Sequence, residues 1–184
     1  VKFEIEKREF IRDEDEYGGL RITVNFMLEN MKDSFHIDIA TGDPIHPGPD
    51  DYKYESLIGN EVYKVWSYNL ETVLAEKIET ILGKLEISSR MKDYYDLYMF
   101  VNLKWNDIDK TILRKAIFNT SEKRETLNYI ENADKYIELI NEDSKLKSLW
   151  KNYQNTYAYA KDISFENTIA AIKVINGVIV PAKV

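Results

Sequence analysis

Cysteine is absent from the 184-residue chain, so neither a disulfide framework nor a thiolate metal site can form. No apolar run approaches the roughly 20 residues that span a bilayer, and no signal peptide is visible, which favours a cytoplasmic protein without a membrane partner. A basic excess is also missing: the net charge is -7, so contact with RNA or DNA would require a local basic patch. The chain does contain 44% hydrophobic and 31% charged residues in alternation, which is typical of a folded domain.

The first part of the chain has the pattern of β-strands. Three segments alternate apolar and polar residues with a period of two, and they cover residues 1–12, 20–28 and 34–40. An acidic turn at 13–19 and a short link at 30–33 join them, so we predict an antiparallel meander. Glycines and prolines crowd residues 41–52, which predicts a shaped loop, and a strand at 61–68 is expected to return to the sheet.

The start of the chain suggests that it continues upstream. Val1 already lies inside the first strand-like segment. An amphipathic strand with no partner before it is an unusual beginning for a domain, so we expect a fragment of a longer protein.

Beyond Asn69, a plausible N-cap, the pattern becomes helical. Helices are predicted at residues 70–85, 89–102, 107–119, 121–140, 144–153 and 164–175. The predicted fold class is therefore α+β, with a small, mostly antiparallel sheet and a proline-rich loop in residues 1–68 and a helical bundle in residues 69–184.

Lys77 interrupts the apolar face of the first helix. The stripe on this face consists of Leu70, Val73, Leu74, Ile78, Ile81, Leu82 and Leu85. Lys77 lies four residues after Val73 and four before Ile81, and therefore within the stripe. Such a lysine either extends along the surface to reach water or meets a buried anion, and the pattern leaves both open.

The second helix carries two acids on one face. Asp93 and Asp96 are three residues apart, and Arg90 and Lys92 lie at the spacing of intrahelical ion pairs with them. Ion pairs on a solvated face would explain this run. The helix is also crowded with large rings, however, which is compatible with a structural or functional role. A third acid, Asp38, lies on the polar face of a strand and would be solvated in an ordinary protein.

Four segments together resemble the AbiEii/AbiGii toxin family of bacterial nucleotidyltransferases. They are HIDIATGDPI at 36–45, YNLETVLAEKIETIL at 68–82, SRMKDYYDLY at 89–98 and, more weakly, YAKDISF at 159–165. The resemblance implies a palm-like nucleotidyltransferase sheet and a toxin of a type IV toxin–antitoxin or abortive phage infection system. It also implies transfer of nucleotides from an NTP to an acceptor such as tRNA, Mg²⁺ as the metal, and an antitoxin as a partner.

The resemblance also assigns roles to five residues. Asp38, Lys77 and Asp93 would be catalytic, with Asp38 holding Mg²⁺ or acting as a base and Lys77 contacting the phosphates of the NTP. Arg90 and Asp96 would complete the substrate-binding site. Nucleotidyl transfer develops negative charge on phosphate oxygens, which divalent ions and a lysine stabilise.

One part of the family pattern is missing. The resemblance places a Gly-Ser loop and a paired-aspartate strand, which bind the NTP and its metals, before Val1, and no Gly-Ser followed by Asp-x-Asp occurs in this sequence. We therefore expect the full-length protein to be an enzyme and this chain alone to be inactive. Two alternatives stay open: a non-catalytic module that binds an antitoxin or RNA, and a domain in which Lys77, Asp93 and Arg90 form only an internal ion network.

Overall fold

The computed structural model describes residues 1–11, 18–83 and 90–179. The chain divides into two compact units, Val1–Asp43 and Pro44–Val184. The first contains only strands, and the second contains a hairpin and the helices. The predicted α+β class is confirmed. A functional division between residues 68 and 69 stays a prediction.

The first unit is a three-stranded antiparallel meander. Its strands are β1 (Lys2–Ile11), β2 (Gly19–Leu28) and β3 (Met31–Ile39), in the order β1-β2-β3. Period-two alternation brings three rings to one face, where the centroids of Phe3, Phe26 and Phe35 lie 6.2 to 6.4 Å apart. The meander is confirmed, although β3 begins before the predicted residue 34. Most of the acidic turn at 13–19, together with Arg12, lies outside the described residues.

The prediction that a later strand rejoins this sheet is wrong for the described residues. After an irregular stretch from 40 to 49, β4 (Asp50–Glu55) pairs antiparallel with β5 (Val62–Ser67) in a separate two-stranded hairpin. The predicted loop therefore ends at residue 49 rather than 52. Tyr52 and Tyr54 alternate directly after the breakers, and sequence reasoning assigned the first three residues of this strand, 50–52, to the loop.

The second unit is helical from Leu70 onwards. Its described helices are α1 (Leu70–Gly83), α2 (Met91–Leu103), α3 (Lys110–Lys123), α4 (Leu127–Glu131), α5 (Ala133–Glu142), α6 (Ser144–Thr156) and α7 (Phe165–Ile179). Short 3₁₀ turns lie at Trp105–Asp107 and Ala158–Ala160. Leu85 and Ser89, expected near the end of the first helix and the start of the second, lie outside the described residues.

The prediction of a single helix over residues 121–140 is wrong, because the helix is interrupted within this range. Glu125 adopts a left-handed conformation with φ 57°, which ends α3. The neighbouring residues turn towards a buried acid on α1: Arg124 Nη1 lies 2.6 Å from Glu79 Oε2, and Thr126 Oγ1 donates to Glu79 Oε1 at 2.9 Å. This tertiary contact, which helical periodicity does not encode, accounts for the break.

The core of the second unit lies between its helices. α1 packs on α3, α2 packs on α7, and α6 also contacts α2. Leu74, Ile78, Leu97 and Ile172 are completely buried in it. Of the helices in the described residues, none is both long enough and apolar enough to span a bilayer.

Candidate active site

The start of α1 is fixed by Asn69, which caps the helix as expected. Its Oδ1 accepts a hydrogen bond from the Thr72 backbone N–H at 2.7 Å. Its Nδ2 donates to the carbonyls of His46 at 2.9 Å and Gly48 at 3.0 Å, so the same side chain anchors the proline loop. The helix that carries Lys77 is therefore held at its first turn by both cap and loop.

Lys77 is mostly buried and meets one buried and one partly buried carboxylate. Its side chain is 18% exposed, and its Nζ donates to Asp93 Oδ1 at 2.9 Å and to Asp96 Oδ2 at 2.7 Å. Asp93 is only 4% exposed. Of the two interpretations that the apolar stripe left open, the structure selects the buried-anion one, because α2 brings both carboxylates to the same ammonium group.

Two further cations complete the cluster at the first turn of α2 and the residue before it. Arg90 Nε lies 3.2 Å from Asp93 Oδ2, and Lys92 Nζ lies 3.0 Å from Asp96 Oδ2. Both intrahelical pairs suggested by the spacing are present. The side chains of Arg90 and Lys92 are 70% and 73% exposed, so these two cations lie on the solvent side of the cluster. Three cations meet two carboxylates, which leaves one positive charge in excess.

The environment of Lys77 keeps it charged. Burial by itself would lower the pKa of Lys77, but the hydrogen bonds to Asp96 and Asp93, together with their negative charges, outweigh that effect and raise the pKa above its ordinary value. An ammonium group has three N–H donors, and two point at these carboxylates. No described residue accepts from the third.

Three tyrosines in mutual contact, Tyr95, Tyr153 and Tyr159, lie beside the cluster, and sequence reasoning missed this arrangement. The ring of Tyr95 on α2 lies 4.8 Å from that of Tyr159, whose hydroxyl is 2.9 Å from the Tyr153 hydroxyl. Burial raises the pKa of Tyr153, and the bond to Tyr159 and the charge of Asp96 add to the effect. The phenol is therefore electrostatically linked to the Lys77 cluster.

An open groove lies over this region. It has a volume of about 430 Å³ and is lined by Arg90, Met91, Lys92, Leu149, Asn152, Tyr153, Thr156 and Tyr157. Half of these residues come from α6, in which no residue was singled out from the sequence. The available signal was compositional, because residues 144–161 contain lysines and aromatic rings but no acid.

Asp38 lies on β3 in the first unit. There it faces Arg21 across the strand pair, with Arg21 Nε and Nη2 each donating to one carboxylate oxygen at 2.7 Å. This bidentate pair also raises the pKa of Arg21, mainly through the hydrogen bonds to Asp38. The structure gives the surroundings of Asp38 within its own unit, and its catalytic role stays a prediction.

The described residues do not fit a divalent cation as they are arranged. They contain no group of three or more histidine or acidic side chains that could hold a metal ion. Asp93 and Asp96 turn towards Lys77, Arg90 and Lys92, and Asp38 is engaged by Arg21. Magnesium at Asp38 therefore rests on the family resemblance alone.

These features define an α+β protein whose helical unit carries a lysine held by two aspartates beside an open groove. The model of the family described as "Nucleotidyl transferase AbiEii toxin, Type IV TA system" matches residues 1–171, and the chain belongs to this family. Searches of curated proteins and of solved structures found no match. The resemblance drawn from the sequence motifs is thus confirmed over nearly the whole chain.

Family membership establishes the general activity. The family consists of nucleotidyltransferase toxins of type IV toxin–antitoxin systems, and nucleotidyltransferases generally use an NTP and a divalent metal. An NTP substrate and an antitoxin partner follow at that level. The roles of Asp38, Lys77, Arg90, Asp93 and Asp96 stay predictions.

Proposed function

We propose that this protein is a toxin that transfers nucleotides from an NTP to an RNA acceptor, the 3′ end of tRNA, and so arrests growth during phage infection. Such an acceptor places its action in the cytoplasm. The observation that carries the proposal is the position of Lys77, whose ammonium group is fixed by two carboxylates and has a third N–H donor that no described residue accepts.

In this proposal Lys77 contacts a phosphate of the NTP. Its raised pKa keeps the ammonium charged at every physiological pH. The hydrogen bonds to Asp93 and Asp96 remove its rotational freedom before the substrate arrives, which is the preorganisation that electrostatic catalysis requires. Asp93 and Asp96 act as positioning residues through Lys77 in this arrangement, and Asp93 does not itself need to touch the substrate.

Arg90 is the proposed second phosphate ligand. It borders the groove, is largely exposed, and presents a planar guanidinium group that suits phosphate oxygens. Its guanidinium Nε pairs with Asp93, the carboxylate that also binds Lys77, so both cations are held close enough to bind one triphosphate. Asp38 is proposed as a catalytic carboxylate of the first unit that would hold Mg²⁺ or act as a base, on the support of the family motif alone.

Growth inhibition by the full-length protein tests the assignment. Lys77→Ala and Asp93→Ala should abolish toxicity, because loss of one preorganised electrostatic group costs on the order of 10² to 10³ in rate. Lys115→Ala is the matched control, since Lys115 is an exposed lysine on α3 and does not line the groove. Retained toxicity of the folded Lys77 and Asp93 variants would remove both residues from the active site.

A labelling experiment in vitro tests the acceptor. The purified full-length protein is incubated with tRNA and each radiolabelled NTP in turn, and label in the tRNA is followed on a denaturing gel. If tRNA whose 3′ end has been oxidised with periodate before the reaction takes up no label, the transfer occurs at that end. Label in another RNA, or in none, would contradict tRNA as the acceptor.

One observation favours a second candidate, a non-catalytic module that binds RNA. Lys77 already has two carboxylate partners, which an internal ion network would also provide, while the groove beside it combines cations with aromatic rings. This alternative predicts RNA binding without nucleotide transfer by the wild-type protein. It also predicts that Lys77→Ala changes stability and leaves every measured activity unaltered.

A further inference from the structure

The charge of the chain is very unevenly distributed. Although the net charge is -7, the 18 residues from 144 to 161 contain four lysines and no aspartate or glutamate. The lysines are Lys145, Lys147, Lys151 and Lys161. This segment forms α6 and the following 3₁₀ turn, and α6 packs on α2, which supplies Lys92 and is preceded by Arg90. This part of an acidic protein therefore carries six cations, of which Arg90 and Lys92 line the groove described above.

The same segment contributes four aromatic rings that contact one another. Trp150 is buried, and its Nε1 donates to the Ile163 carbonyl at 2.9 Å. Its ring stacks on that of Tyr153, with 5.4 Å between the two centroids. Tyr153 contacts Tyr157 at 4.6 Å, and Tyr157 contacts Tyr159 at 5.4 Å. The two outer tyrosines are 43% and 54% exposed, so the ring series runs from the core to solvent.

Cations and rings line the same groove. Arg90 and Lys92 come from the residue before α2 and its first turn, and Asn152, Tyr153 and Tyr157 come from α6 and the residue after it. The volume of about 430 Å³ lies within the range of about 300 to 1,000 Å³ that holds small organic groups. A nucleotide with its phosphate at Lys92 would lie in the groove that the tyrosines also line, and the Asn152 amide can both donate to and accept from a base edge.

We infer that this groove, together with the exposed rings of Tyr157 and Tyr159, binds a single-stranded RNA end, with Lys92 on a phosphate of the strand and a base stacked on Tyr157. Cations beside stacking aromatics are the features with which proteins hold single strands irrespective of sequence. A duplex keeps its base faces hidden and could not use the rings. A protein partner is a poorer fit, because lysine is depleted at protein–protein interfaces.

The inference deepens the proposed function and rests on it only for the statement that the bound RNA is the acceptor. Lys77 holds the NTP in that proposal, and the groove begins at the residues that pair with the same aspartates. An RNA end lying in it would therefore approach the nucleotide from the α6 side. Binding of the strand itself requires no nucleotide transfer and is measured separately.

The rings are tested with a fluorescein-labelled single-stranded RNA of about eight nucleotides, by anisotropy with the full-length protein. Tyr157→Leu should weaken binding roughly 5- to 100-fold, the loss expected for one stacked base, whereas Tyr157→Phe should bind like wild type. Tyr159→Leu provides a second exposed ring variant. Tyr63→Leu, at an exposed tyrosine of β5 outside the groove, is the matched control and should not change the affinity.

The cations are tested through the salt dependence of the same binding. Each lost phosphate contact should reduce the slope of log affinity against log salt by about 0.7 for a single strand. Lys92→Gln should show this reduction, whereas Arg90→Gln, whose side chain is assigned to the NTP, and Lys115→Gln on α3 should not.

These experiments test RNA binding by the groove independently of the proposed nucleotide transfer. Lys77→Met should lose nucleotide transfer and keep RNA binding. Single-strand binding that falls with Tyr157→Leu in a protein without transferase activity would refute the proposed function and support the surface. Equal affinity for duplex and single strand, or unchanged affinity in both ring variants, would overturn the surface even if transfer to RNA is observed.

Discussion

Replacement of Lys77 by methionine distinguishes a lysine that holds buried charge from one that merely covers apolar surface. Methionine is a good helix former of similar length and would suit the apolar stripe of α1. If Lys77 only covered that stripe, Lys77→Met would be neutral or stabilising. Because Lys77 instead binds Asp93 and Asp96, the variant leaves two neighbouring carboxylates short of a cation, and we expect it to be destabilised.

The magnitude follows from the burial of the three groups. Removing one partner of a fully buried ion pair costs about 3 to 5 kcal/mol, and an exposed pair contributes about 0 to 1 kcal/mol. Lys77 is partly exposed, and Asp93 and Asp96 would keep their pairs with the exposed Arg90 and Lys92. We therefore expect a loss of about 1 to 3 kcal/mol in the free energy of unfolding.

Urea unfolding followed by circular dichroism measures this loss. Lys92→Met is the control: its partner Asp96 is the same, but Lys92 is exposed, so the change should stay within about 0.5 kcal/mol. In the double variant Lys77→Met/Asp93→Asn the two changes should couple by about 0.5 to 3 kcal/mol. A Lys77→Met protein as stable as wild type or more stable would refute the buried-anion account.

The pH dependence of the loss is also fixed in sign. The folded state raises the pKa of Lys77, so its stabilising contribution is fully present below the unfolded lysine value of about 10.4 and disappears as the pH rises through the folded value. The difference between wild type and Lys77→Met should thus be constant between about pH 6 and about pH 9. It should shrink only in more alkaline solution.

Two further predictions concern the scaffold of the site. Arg124→Ala should lower the free energy of unfolding by about 2 to 4 kcal/mol in urea titrations, because the fully buried Glu79 carboxylate then keeps the Thr126 hydroxyl as its remaining described partner. Replacement of an exposed arginine, Arg114→Ala, is the control, and a smaller loss for Arg124→Ala than for this control would contradict the account. Asn69→Ala should lower the free energy of unfolding by about 1 to 2 kcal/mol in the same measurement. Asn69→Asp should lower it less, because Asp keeps the helix cap and loses only the donors to the proline loop. Equal losses for the two variants would show that the cap contributes nothing.

Local regularities were readable from the sequence. Alternation with a period of two predicted the meander, and a three-four apolar spacing predicted α1, because each pattern reports which face of an element is buried. Predictions failed where distant residues decide the outcome. The helix expected over 121–140 breaks because Glu79 binds Arg124 and Thr126, and β5 pairs with β4 rather than with the first sheet.

The sequence by itself determined that Lys77 was anomalous, that Asp93 and Asp96 shared a helical face, and that the motifs around them belong to one family. Only the tertiary structure decided that these residues meet, since Lys77 and Asp93 are 16 positions apart on different helices and the spacing within one helix is silent about its neighbour. The groove has the same origin: the rings of 144–161 are visible in the sequence, but the packing of α6 on α2 brings Tyr153 and Tyr157 into one groove with Arg90 and Lys92.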